Sequence, residues 1–172
     1  MKVDWDSVRT RDGVKPDAAV LDVFVTSEDI DTVYDAYCSI EYAAFYNRDL
    51  EEAALPLTSA LIEMVCSGRC THWGLHWVTD ALYEISLGET ASSETALGST
   101  GVADRCRDII RDNLPRLYQT ARSITDNSTL TSFVTITSGV RYKRRNGRSF
   151  PQSNRSKSRK TYGNRICLPE DR

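Results

Sequence analysis

The stretch from Thr71 to Gly88, THWGLHWVTDALYEISLG, decides the fold class. Wound at 3.6 residues per turn, Leu75, Val78, Leu82 and Ile85 fall on one side with Ala81 and Trp77 at its border, while His72, Trp73, His76, Asp80, Tyr83 and Glu84 fall opposite. Gly88 ends the run. One apolar face of this length must be covered by other elements, so the neighbouring segments have to supply partners of matching shape.

Upstream, Ser27 followed by Glu28, Asp29 and Asp31 places a capping hydroxyl and negative charge at a helix start. Ile30, Val33, Tyr34, Tyr37, Ala44 and Phe45 then recur at helical spacing, until Asn47-Arg48-Asp49 stops the run. Asp49 and Glu52 have capping-box spacing ahead of the stripe Leu50, Ala54, Leu57, Leu61 and Met64. Pro56 falls inside that stripe and predicts a kink or a split. Ser67-Gly68 supplies the C-cap. Nearer the N-terminus, helices are expected near 4–10 and 16–25, separated by Asp12-Gly13, although Val23-Phe24-Val25 also fits a strand.

Downstream, Glu89 to Gly101 is rich in Ser, Thr and Gly and reads as a flexible loop. Asp104–Asp112 and Leu114–Ile124 are two helical stretches or one kinked helix, with Pro115 where a new helix begins. No element is assigned to 125–138, whose Thr-rich β-branching argues against stable helix. The pattern predicts an all-α body, a short α-solenoid of antiparallel helical hairpins over residues 1–138.

Charge divides the chain at the same point. Residues 1–138 carry 11 Lys/Arg against 22 Asp/Glu, a net −11, and residues 139–172 carry 11 against 2, a net +9. The basic tail holds few large apolar residues and is expected to be disordered when free. No signal-peptide pattern and no unbroken apolar run of membrane length occurs, which points to a soluble, cytoplasmic protein. Five cysteines, at 38, 66, 70, 106 and 167, make no dense even framework and are read as free thiols.

Val3-Asp4-Trp5, Gly13 with Pro16, Asp17 to Leu21, EAALPLTSALIEMV at Glu52 to Val65, Cys106-Arg107-Asp108-Ile109 and Leu114-Pro115-Arg116-Leu117-Tyr118 together resemble small bacterial HEAT-like repeat proteins. The likeness covers roughly residues 3–122. Tyr46-Asn47-Arg48 stands where such proteins often carry a His-Gln-Gly-like step. The resemblance implies an interaction scaffold, in some cases an immunity or antitoxin-type protein beside a toxin, and no active site.

The residues themselves offer three sites. His72, Trp73, His76, Asp80 and Tyr83 are large, partly polar groups on one helix face and suit a protein partner, with packing on a neighbouring helix as the alternative. Cys66, Cys70, His72 and His76 are four zinc-ligand types within eleven residues, but Cys70 and His72 are too close in sequence to close one tetrahedron easily. In the tail, Arg141, Lys143, Arg144, Arg145, Arg155, Lys157, Arg159 and Lys160 can neutralise phosphates, or fold back on the acidic body. No nucleophile elbow or phosphate-binding loop is present, and acid pairs such as Glu51-Glu52 sit at helix starts where capping suffices. The expectation is a non-enzyme without cofactor.

Overall fold

The computed structural model describes residues 2–124, 129–131 and Ile136. This part is mostly helical: α1 (Val20–Thr26), α2 (Ile30–Ala44), β1 (Asp49–Leu50), α3 (Ala54–Ser67), α4 (His72–Leu87), β2 (Glu89–Thr90), α5 (Ser92–Ala96), α6 (Val102–Asp112) and α7 (Leu114–Ala121). Single 3-10 turns at Trp5–Ser7, Arg11–Gly13 and Tyr46–Arg48 join them. The first expected helix is therefore only a turn, while Val23-Phe24-Val25 is helical.

Several caps differ in detail from the sequence reading. Asp29, not Ser27, caps α2, because its carboxylate reaches the Thr32 amide at 2.9 Å. Asp49 lies in β1, so no capping box forms and α3 starts at Ala54. Pro56 then sits in the first turn of α3, where an amide has no helical acceptor, and it neither kinks nor splits the helix. Gly68, at φ +65°, closes α3 by donating its N–H to the Val65 carbonyl, as the Ser67-Gly68 pair predicts.

Packing makes α4 the central helix. Thr71 caps it by accepting the Gly74 amide at 3.1 Å, and α1, α2, α3 and α6 all lie against it. In turn, α3 also carries α6 and α7. Leu61, Leu82 and Ile85 are fully buried at these contacts, each stabilising the fold by about 1.5–3 kcal/mol relative to exposure. Contact between α1 and α4 depends on Gly74: a Cβ there would lie 1.9 Å from the Phe24 carbonyl oxygen. That same oxygen accepts the Thr71 amide at 3.1 Å.

The stretch 89–101, expected as a flexible loop, holds β2 and α5. β1 and β2 pair in parallel, Asp49 with Glu89 and Leu50 with Thr90, and Ala91 extends the contact through its N–H to the Leu50 carbonyl at 3.0 Å. Two residues per strand are too few to leave a period-two pattern in the sequence. α6 and α7 are separate helices, divided at Asn113. Of the unassigned segment 125–138, residues 129–131 are helical and Ile136 is fully buried. The expected domain limit at 138 and the disordered tail lie outside the described residues. No helix among the described residues is long and apolar enough to cross a membrane.

Candidate protein-binding face

α2 and α4 lie side by side, and their rings form one cluster. Tyr34 and Tyr37 on α2 stand 4.9 Å and 4.8 Å, centroid to centroid, from Trp77 on α4. His76 meets Trp77 at 5.1 Å and Trp73 at 6.4 Å. These are the separations at which tilted aromatic pairs gain beyond their buried area. Tyr34 stays half-buried at the edge of the cluster, whereas Tyr37 is buried and donates its hydroxyl to the Asp80 carboxylate at 3.4 Å. Burial, then the negative charge of Asp80, raises the Tyr37 phenol well above its ordinary range.

Carboxylates gather one turn further along. Glu41 on α2 is half-buried beside Glu84 and Asp80 on α4, and burial first, then those two charges, pushes its carboxyl up to about 7. Glu84 is paired with Arg48, whose guanidinium lies 5.8 Å from the Tyr83 ring centroid. Arg48 is placed by the turn that ends α2, in which Asn47 (φ +52°) and Arg48 itself (φ +68°) both have left-handed backbone. The result is a face with the half-buried rings of Tyr34 and Tyr83, three acids and one cation at its margin.

The sequence-predicted protein-binding residues are divided by this packing. His72 is exposed, Trp73, Asp80 and Tyr83 are half-buried, and His76 is buried at 8% exposure. The five do not form one open patch, because helices cover α4 on most sides. Asp80 and Tyr83 instead belong to the acidic face shared with α2, and the sequence reading missed Tyr34, Tyr37 and Glu41 as its other half. Spacing within a single helix carries no information about which residues a second helix will bring.

The four residues of the zinc reading are not brought together. Cys66 sits near the end of α3, Cys70 in the turn after it, His72 on the first turn of α4, and His76 turns toward Trp77. No three His, Cys, Asp or Glu side chains among the described residues are grouped to hold a metal ion. Cys70 and His72 instead line a cavity of about 240 Å³ with Val65, Gly68, Leu75 and Thr120. Burial pushes the Cys70 and Cys106 thiols up to about 11, away from thiolate chemistry. Cys66, Cys70 and Cys106 are free, as expected, but Cys38 is disulfide-bonded. All eight basic residues proposed for nucleic acid, Arg141 to Lys160, lie outside the described residues.

A second polar cluster was invisible in the sequence. The Arg9 guanidinium donates to both oxygens of Glu94, the closest approach being 2.6 Å, and also to the Ser99 hydroxyl at 3.0 Å. Glu94 is 1% exposed and accepts the Glu52 amide at 3.0 Å, while the Arg9 amide donates back to the Glu52 carboxylate at 3.1 Å. Ser93 donates to the buried Glu51 at 2.9 Å. Burial alone would raise Glu94, but the Arg9 guanidinium and the Glu52 amide outweigh it and hold this carboxyl below its usual range. These groups join segments 42 to 90 residues apart, so no local motif could announce them.

No protein-family model, no curated protein and no solved structure matches this chain.

Proposed function

We propose that this chain is a non-catalytic helical scaffold that binds a basic protein segment on the face formed by α2 and α4. The observation that carries the reading is the juxtaposition of the half-buried rings of Tyr34 and Tyr83 with Glu41, Asp80 and Glu84, an arrangement suited to guanidinium and ammonium groups. Against catalysis stand the raised thiols and the engagement of the buried Glu94 in holding loops together. The successive packing of α1 and α2 on α4, of α3 on α4, and of α6 and α7 on α3 supports a short solenoid of helical hairpins of the HEAT-like kind. An immunity or antitoxin role is the specific form of this proposal.

The full chain, used as bait in native extract, should retain a stoichiometric Arg/Lys-rich protein that is released by salt. The variant Tyr34→Ala/Asp80→Asn should retain it at least about tenfold less well, the loss expected for a central interface group. Recovery of no stoichiometric protein overturns the reading.

A further inference from the structure

We infer that the α2–α4 face is also the docking site of this chain's own basic segment, residues 139–172, which occupies it in the absence of a partner. This rests on the same face as the proposed function, to which it adds regulation by an internal competitor. Charge is the first argument. The body is −11 and the segment +9, and among the described residues no cation pairs with Glu41, whose surroundings are set by Glu84 and Asp80. A carboxylate held beside two others gains from any guanidinium brought to it.

Reach is the second argument. Ile136 is fully buried in the core, so the basic segment begins three residues from the body. At about 3.3 Å per extended residue its 34 residues span on the order of 100 Å, several times the length of a helix such as α4. Tail residues Arg141, Arg144, Arg145 and Arg155 supply planar cations suited to the Tyr34 ring and to the Glu41 carboxylate.

Zero-length carbodiimide coupling of the purified full chain tests this directly, since it joins a carboxylate to an amine only in contact. Peptide mapping of the monomer should find Lys143, Lys157 or Lys160 joined to Glu41, Asp80 or Glu84. The yield should fall about threefold to tenfold in Glu41→Gln/Asp80→Asn, the effect of removing one or two half-exposed ion pairs, and again in about 1 M salt, where screening is short-ranged. Arg144→Gln/Arg145→Gln, which leaves the body untouched, should lower the yield to a similar degree. Links spread evenly to Asp104, Asp108 and Asp112, or found only in covalent dimers, overturn the inference. No partner takes part in this measurement, so its failure leaves the partner-binding reading standing, and a failed capture leaves the docking result standing.

Discussion

The protein holds two groups of acids in two different ways. Around Glu94, every buried carboxylate oxygen has a donor: the Arg9 guanidinium and the Glu52 amide for Glu94, the Ser93 hydroxyl for Glu51. Around Glu41 the neighbours are Glu84 and Asp80, and Arg48 is engaged by Glu84 at the margin. Burial acts on both. It is outweighed at Glu94, which stays below its usual range, though not at Glu51, which burial raises despite the Ser93 hydroxyl, and it is reinforced in the second group, where Glu41 rises to about 7. A cluster closed around the Arg9–Glu94 pair holds loops in place, and a gathering of acids at a surface attracts a cation that arrives from outside.

The largest effect should come from breaking the frame that separates the two. Gly74→Ala would drive a methyl into the Phe24 carbonyl and force α1 off α4, costing about 3 kcal/mol or more, at or above the usual overpacking range. Chemical denaturation should register this as a lower midpoint, with the ring cluster at Trp77 disturbed and the Arg9–Glu94 contact retained. A midpoint equal to wild type would show that α1 does not fix the α2–α4 face.

Glu94→Ala attacks the satisfied cluster. Removing an acceptor of charge-assisted bonds and leaving the Glu52 amide unpaired should cost about 2–3 kcal/mol. Amide hydrogen exchange should then rise first in residues 89–101. Unchanged exchange there would remove the argument that Glu94 orders this connector.

Glu41→Gln should act in the opposite direction. Below about pH 4.5 the carboxyl is protonated in both folded and unfolded chains and costs nothing. Between about pH 4.5 and 7 the unfolded chain ionises this carboxyl while the folded chain keeps its proton, so the penalty grows across that window and is fully present above pH 7. On the Arg144→Gln/Arg145→Gln background, the substitution should gain about 1–2 kcal/mol at pH 8 and nothing at pH 4 in urea unfolding. A loss at pH 8 would show that the carboxylate is satisfied after all.

The smallest effect belongs to Arg48→Ala. Its half-exposed pair with Glu84 is worth about 0.5 kcal/mol, and the difference from wild type should vanish in about 1 M salt.

Much of the helical body was legible. The runs at Ile30–Ala44, Ala54–Ser67 and His72–Leu87 follow from apolar spacing and from their stops at Asn47, Gly68 and Gly88, because helices are written in contacts three and four residues apart. The stretch 89–101 was misread for the converse reason: Ser, Thr and Gly composition says nothing of Glu94, whose partner Arg9 lies 85 residues away. The candidate site was half legible. Asp80 and Tyr83 stood out on their own helix, while Tyr34, Tyr37 and Glu41 acquired meaning only opposite them.

By itself the sequence determined the helices, most of their ends, the core stripe Leu75, Val78, Leu82 and Ile85, and the division of charge between body and tail, all of which depend on local spacing and composition. Only the tertiary structure decided that α4 would be the covered centre, that Gly74 would let α1 approach it, and that Glu94 would be paired with Arg9 while Glu41 would lie beside two other acids. A buried charge takes its character from whichever groups folding brings beside it, and in this chain those groups come from distant segments.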